Sequence, residues 1–272
     1  MLSKLNIALN CIIDWIWPIP CPICKYTCHT RGLCATCWKN ADIVSYNSCN
    51  LCGTVITQSP FISSASNIEF QQICEYCNIQ KKSYIDRNFS IFMYNKSGKK
   101  ITLQIKNRQF YDHLHIVKNM FNFLSQRNPS IKSIDYIVPI PLHWTRLICR
   151  GYNQAKFLSI ILSKCINIKV IQCIFRCKKT ESLGKMKIGE RKKIINQAFK
   201  MKEKFISQIK GKTILLVDDV ITTGTTLNEA AKLLKDNGAK YVFSITLCKT
   251  YNTNKIINDL YRSIDPQKEI EW

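Results

Sequence analysis

From residue 83 onward the chain alternates two kinds of apolar pattern. Short unbroken runs, Phe89–Tyr94, Asp135–Leu142, Ile168–Ile174, Lys212–Val217 and Tyr241–Leu247, are rich in Ile, Val, Leu and Phe. Runs of that length without polar alternation predict strands buried on both faces. Between them Ile101–Lys106, Leu114–Ser125, Asn153–Lys164 and Thr226–Asn237 repeat their apolar positions at helical spacing, and Gly238 closes the last. Lys96–Lys100, with Gly98 at its centre, reads as a turn. Strands that alternate with helices predict an α/β fold, a parallel sheet covered on both faces, with its ligand at the carboxyl ends of the strands.

The first 82 residues follow another pattern. Leu5–Pro20 is apolar, carries Asp14 and runs into a Cys-x-x-Cys pair. It is shorter than the roughly 18–20 apolar residues of a spanning helix, so it predicts an amphipathic helix under a cysteine module and no membrane span. Fifteen cysteines occur in the chain, an odd number that argues against a closed disulfide framework. Nine lie between Cys21 and Cys77, and eight of these form four Cys-x-x-Cys pairs: Cys21/Cys24, Cys34/Cys37, Cys49/Cys52 and Cys74/Cys77. A two-residue spacer lets both thiolates of a tight turn point at one metal, and Zn²⁺ takes four such ligands. Two structural zinc sites follow. Sequential pairing, Cys21/24/34/37 and Cys49/52/74/77, is simplest, and interleaved pairing satisfies the same count. Gly53, directly after Cys52, suits a turn that needs a positive φ. Cys28 and His29 are spare potential ligands, whereas Cys11, Cys149, Cys165, Cys173, Cys177 and Cys248 lack metal spacing and read as small buried apolar residues. The composition shift near residue 82 divides the chain into 1–82, the helix and cysteine module, 83–250, the α/β domain, and a tail at 251–272. Reduced cysteines at metal spacing and the missing span point to the cytoplasm.

Charge narrows the partners. Lys and Arg outnumber Asp and Glu to leave +22, and residues 176–204 alone hold a net +8. Such a surplus favours nucleic acid or a phosphorylated small molecule.

The most informative stretch is Ile214–Thr226, ILLVDDVITTGTT. An apolar strand delivers adjacent carboxylates, Asp218 and Asp219, then a loop of Thr222, Thr223, Gly224, Thr225 and Thr226, then a helix. Loop and helix N–H groups suit a phosphate dianion, and Gly224 lets the backbone turn close to it. The carboxylates just upstream can accept hydrogen bonds from the two hydroxyls of a ribose whose 5′-phosphate fills that cradle. Neither a Walker loop nor G-x-G-x-x-G is present, so ordinary nucleotide hydrolysis and dinucleotide binding lack sequence support.

VDDVITTGTT resembles the ribose-5-phosphate signature of type I phosphoribosyltransferases. Four Cys-x-x-Cys pairs, IVPIPLHWTRLICRGYNQA, a basic segment and then that signature together resemble the ComF family, over nearly the whole chain to about Thr250. The resemblance implies a type I phosphoribosyltransferase-like parallel sheet with helices on both faces, preceded by a small zinc-ribbon domain. It implies binding of phosphoribosyl diphosphate with Mg²⁺ and a link to DNA uptake in natural transformation, with single-stranded DNA and uptake proteins such as a helicase as partners. A metabolic phosphoribosyltransferase acting on an unidentified base or amine, and a non-catalytic interaction module stabilised by zinc, are the alternatives. By residue, the resemblance places Asp218 and Asp219 on the ribose hydroxyls, as the catalytic pair, and Thr222–Thr226 around the 5′-phosphate. Pro141, Leu142, His143, Arg146, Arg150 and Lys106 fall on the diphosphate side. Arg150 also reads as a surface residue at a helix start, and His143 as a structural histidine. The basic segment corresponds to the mobile hood of such enzymes. It departs from the family pattern in two places: ESLGKMK follows Thr180 without a glutamine, and Ile194 stands where an asparagine is usual. Both departures bear on turnover and leave the phosphate signature intact.

Overall fold

The structure is a computed structural model, and it describes residues 20–27, 32–44, 48–54, 56, 61–63, 71–74, 77, 83–107, 114–177 and 198–250. The expected helix in Leu5–Pro20, most of the basic segment and the tail lie outside the described residues.

Two cysteine knuckles open the chain. In the first, the Cys21 N–H donates to Tyr26 O and the Lys25 N–H to Cys21 O; in the second, the Cys49 N–H donates to Thr54 O and the Gly53 N–H to Cys49 O. The residue after the Cys-x-x-Cys of each of these two knuckles takes a positive φ, 64° at Lys25 and 70° at Gly53. Helix α1 (Ala35–Lys39) presents Cys37, and the short antiparallel pair β1 (Phe61–Ser63) and β2 (Gln71–Ile73) leads to Cys74.

The main sheet holds β3 (Arg87–Met93), β4 (Tyr136–Pro139), β7 (Thr213–Ile221) and β8 (Tyr241–Lys249) in the order β3-β8-β7-β4, every pair parallel. Between β4 and β7 in sequence stand β5 (Ile174–Arg176) and β6 (Phe199–Met201), an antiparallel pair of their own. The helices are α2 (Lys96–Lys106), α3 (Leu114–Arg127), α4 (Trp144–Arg150), α5 (Gln154–Ile166), α6 (Ile206–Ile209) and α7 (Thr225–Asp236). Wholly buried Ile137 and Leu215 belong to one hydrophobic cluster, and Ile214, Leu216 and Val242, alternating with them along the strands, to a second. The expected α/β architecture is therefore present.

Two expectations change. Lys96–Lys100 opens α2 instead of turning: Asn95 Oδ1 accepts from the N–H groups of Ser97 and Gly98, an N-cap. Gly98 is needed for close packing, because a Cβ there would collide with the Met93 carbonyl oxygen. Ile168–Ile174 does not form a central strand; Val170 makes a single parallel bridge to Ile137, and only Ile174 enters β5.

The cysteine module is not a separate bead. Cys21, Ile23, Leu33, Cys37 and Ala41 belong to the same buried cluster as Phe89, Ile101 and Ile245. Gln104 Nε2 donates to Pro22 O, and Lys100 Nζ to Ile23 O. On the free edge of β3, Asn88 and Met93 donate to the carbonyls of Asn50 and Asp42, and Ile91 O accepts from Val44. An edge strand that would otherwise offer unpaired backbone groups is thus closed by the module.

Candidate functional site

The carboxyl ends of β4, β7 and β8 bring the signature residues together. Strand β7 runs past Val217 to Ile221 because its ladder with β8 continues through Asp218↔Thr246, Val220↔Cys248 and Ile221↔Lys249. Asp218 and Asp219 are thereby held on a rigid strand end. Asp218 Oδ1 accepts from the Asp219 N–H at 2.8 Å, and Asp219 Oδ1 from the Val220 N–H at 2.9 Å. The loop then turns through Gly224, at φ 76°, into α7. That helix has no acidic residue in its first turn and no side-chain cap, so its first N–H groups and positive dipole end face the loop. Thr222 and Thr223 are exposed, Gly224, Thr225 and Thr226 half-buried, and Thr223 Oγ1 lies 2.8 Å from Thr225 Oγ1.

The two carboxylates differ in surroundings. Lys106 Nζ, from the last turn of α2, lies 3.0 Å from Asp219 Oδ2. The resemblance put Lys106 on the diphosphate side; here its partner is the acidic pair. Asp218 is governed by other influences. Burial, and then the charge of Asp219, hold its carboxyl well above the usual carboxylate range, with Lys106 opposing.

Arg176 lies within electrostatic reach of Asp218 and of Arg146, which in turn neighbours Arg150. Burial and the neighbouring Arg150 make Arg146 a weaker base than usual. Arg176, at the end of β5, is lowered by burial and then by Arg146, and is drawn back up by Asp218. The sequence marks Arg176 only as the start of an Arg-x-x-x-Thr pattern with Thr180 and gives it no place in the site. Arg150 closes α4 before Gly151 (φ 73°) instead of opening a helix, and its Nη1 donates to Gln154 Oε1 at 3.2 Å. Asn153 caps α5 and donates from Nδ2 to Ile140 O, which fixes the half-buried turn at Pro141 and Leu142. His143 is 5% exposed and caps α4 by accepting from the Thr145 N–H, a structural use.

The eight paired cysteines form two groups, Cys21/24/34/37 and Cys49/52/74/77, in the sequential pairing, with all sulfurs of a group within 4.8 Å of one another. Zn–S bonds of about 2.3 Å in a tetrahedron place sulfurs ~3.8 Å apart. Cys24 and Cys34 are at 3.6 Å, and Cys52 and Cys74 at 3.7 Å. The Cys34 N–H reaches Cys21 Sγ and the Cys37 N–H reaches Cys34 Sγ, the support that thiolates bound to a metal use. Burial raises the Cys21 thiol, but backbone donors at Cys24, Cys34 and Ile23 bring it down to about 7. Both groups fit structural zinc.

One further residue reaches the loop. Lys249, at the end of β8, is 4% exposed and donates from Nζ to Thr222 O at 3.3 Å.

Comparison with known proteins agrees with this architecture. Residues 12–78 match the double zinc ribbon domain, and residues 174–272 the phosphoribosyl transferase domain. Competence protein F of Haemophilus influenzae is 29% identical over 231 residues, 82% of this chain and 93% of that protein. DNA utilization protein YhgH of Escherichia coli K12 is 32% identical over 127 residues, 46% of this chain and about half (54%) of that protein. Among solved structures, a purine phosphoribosyltransferase from Pyrococcus horikoshii is 16% identical with a TM-score of 0.31, over 50% of this chain and 71% of that one. That overlap is partial, and the fold rests on the parallel strand order and the domain match. The chain thus carries a double zinc ribbon ahead of a phosphoribosyl transferase domain, and it is similar to competence protein F along most of that protein's length.

Proposed function

We propose that the chain binds phosphoribosyl diphosphate at the carboxyl edge of its sheet and serves in DNA uptake, the role for which its relative competence protein F is named. The observation that carries the first half is the acidic pair Asp218 and Asp219 beside an uncapped helix N-terminus, with Arg176 in electrostatic reach of Asp218 and Arg146 neighbouring both Arg176 and Arg150. A ribose with a 5′-phosphate and a 1-diphosphate has hydroxyls for the acidic pair, a dianion for Thr222–Thr226 and a second anion for the arginines. Mg²⁺ accompanying the substrate would draw charge toward the leaving diphosphate, and the oxygens of Asp218 and Asp219 are donors of the type it takes. The arginines orient and neutralise the diphosphate, which favours its departure from ribose C1. The chain's action on DNA is supported by its surplus charge and its relatives' names. The described residues include no helix long and apolar enough to cross a membrane, which agrees with a cytoplasmic setting.

Calorimetry with phosphoribosyl diphosphate and Mg²⁺, repeated with single-stranded DNA over a salt series, tests both halves. Saturable binding of the first is expected. DNA affinity should fall with salt at a log–log slope of about 0.7 per phosphate contacted. Neutralising Lys192, Lys193, Lys200 and Lys202 should flatten that slope. Absent or salt-insensitive DNA binding, with diphosphate release in a screen of nucleobases and amines, would instead establish a metabolic phosphoribosyltransferase.

A further inference from the structure

Gln154 carries a buried amide that its own helix does not require. It is 2% exposed at the first position of α5, directly before buried Ala155. Asn153 already caps that helix, its Oδ1 accepting from the N–H groups of Ala155 and Lys156. The Gln154 carboxamide is used on one side only. Its Oε1 accepts from Arg150 Nη1 at 3.2 Å, whereas the buried Nε2 has no hydrogen-bond partner among the described residues. The arginine fixes which way the amide faces, since a guanidinium only donates and must meet the oxygen. A buried donor left without a partner is costly, and an apolar side chain of the same length would avoid that cost. The amide therefore serves Arg150.

The setting of Arg150 suits that service. It ends α4, the chain turns through Gly151 at φ 73°, and the first residue of the next helix takes hold of its guanidinium. A long side chain ordered beforehand loses less freedom when it meets an anion. An amide oxygen orders it without cancelling its charge, which a carboxylate in the same place would do. Arg146 feels that charge, because Arg150 is one of the two influences that make it a weaker base.

We propose that Gln154 is a positioning residue, whose neutral amide oxygen holds the Arg150 guanidinium oriented and still cationic for the diphosphate of the ligand. The proposal rests on the reading of Arg150 as a diphosphate ligand.

Calorimetry on the full chain with phosphoribosyl diphosphate and Mg²⁺ tests it, with ribose 5-phosphate as the control that lacks the diphosphate. Gln154→Met removes the acceptor and the idle donor together, so it should melt close to the parent. It should bind phosphoribosyl diphosphate about tenfold more weakly, the usual scale of one hydrogen bond to a charged group, and ribose 5-phosphate as before. Gln154→Glu keeps the acceptor but adds the cancelling charge, and should weaken phosphoribosyl diphosphate binding as well. In an Arg150→Met background, Gln154→Met should cost no further affinity, because the amide acts through the guanidinium. Parent affinity in Gln154→Met, equal weakening for both ligands, or additive losses in the double variant overturns the proposal. If Gln154→Met does not fold, Gln154→Glu decides, and parent affinity there overturns it. A parent chain that binds no phosphoribosyl diphosphate, or an Arg150→Met variant that binds it as the parent does, refutes the reading of Arg150 and takes the proposal with it.

Discussion

Asp218 and Asp219 are neighbours of identical chemistry, yet their replacement by Asn should shift stability in opposite directions. Asp219 is paired with Lys106 at 3.0 Å, and the side chains are 17% and 26% exposed. At that separation the gross attraction is ~5 kcal/mol for an effective dielectric constant near 20. Exposed pairs retain under about 1 kcal/mol of such attraction, while breaking buried pairs costs about 3–5 kcal/mol. A pair this far withdrawn from water should contribute about 1–2 kcal/mol. Asp219→Asn leaves Lys106 without its carboxylate and should lower Tm by about 2–4 °C for each kcal/mol lost. Asp218 is the reverse case. Its folded pKa lies well above the ordinary 3.8, raised by burial and by Asp219, so the fold holds its proton more tightly than the unfolded chain does. The stability this contributes is complete below the unfolded pKa and is lost as pH rises through the folded one. At neutral pH the ionised carboxylate is a burden, and the neutral isostere Asn should raise Tm.

Calorimetric unfolding across pH 4 to 8 reads both effects. The gap between Asp218→Asn and the parent chain should open as pH rises and close toward pH 4. Both variants should bind phosphoribosyl diphosphate more weakly, since hydrogen bonds to charged groups contribute roughly 1.5–3 kcal/mol each. Shifts of the same sign, or a gap for Asp218→Asn that does not change with pH, would refute the unequal surroundings of the two carboxylates.

Metal analysis should find two zinc ions per chain, and their chelation should speed amide exchange at Asn88 and Met93, which donate to the cysteine module, before that of Leu215 and Leu216. Gly98→Ala should destabilise by about 1–3 kcal/mol in urea unfolding, because the collision with the Met93 carbonyl outweighs the ~1 kcal/mol an alanine gains in a helix. Gly224→Ala meets only Ile221 side-chain carbons at 3.5 and 3.8 Å, so its cost of about 1 kcal/mol comes from φ 76° alone, and weaker phosphate binding in calorimetry should accompany it.

What the sequence makes legible is what local order determines. Asp218 through Thr226 are contiguous, so strand, acidic pair, loop and helix fall into place from neighbouring residues alone, and the cysteine spacing carries its geometry with it. Gly98 misleads because a glycine between lysines signals a turn, whereas its role is set by Met93 and Cys248 from β3 and β8. The strand expected at Ile168–Ile174 has the composition of a buried strand, but its pairing with β4 stops at the bridge of Val170 to Ile137, and Cys173 and Ile174 turn to Lys202 and Met201. Lys249 and Arg176 are illegible for one shared reason. Each comes to the site on a separate element, and only the placement of β8 beside β7, and of β5 near the same edge, makes them neighbours of the acidic pair and its loop. A lysine ending an apolar strand is the faint signal that draws attention to residue 249.

The same strand order explains how this edge can serve a ligand when the rest of the sheet cannot. Strand β7 is apolar and buried along Ile214–Val217 and turns polar at Asp218 and Asp219, while the neighbouring β8 keeps its own polar side chains, Ser244 and Thr246, buried. That apolar stretch stabilises the fold enough to carry ionisable groups in surroundings that disfavour their charge. Asp218 is favoured in its neutral form, while Arg146 and Arg176 are weakened as bases by burial and by a neighbouring arginine. Lys106 and Asp219 show the alternative, two charges closed on one another at 3.0 Å. The arginines come from other elements, Arg146 and Arg150 on α4 and Arg176 at the end of β5, and Arg146 is near enough to both others for their charges to be felt. His143 and Asn153 spend their side chains capping the helices on either side of Gly151, which fixes that arrangement. A small molecule with hydroxyls at one end and a diphosphate at the other would stabilise the acidic and the basic halves at once. On the proposed reading, binding would relieve repulsion between like charges at this edge, and that would make a rigid sheet edge selective for a ligand of that shape.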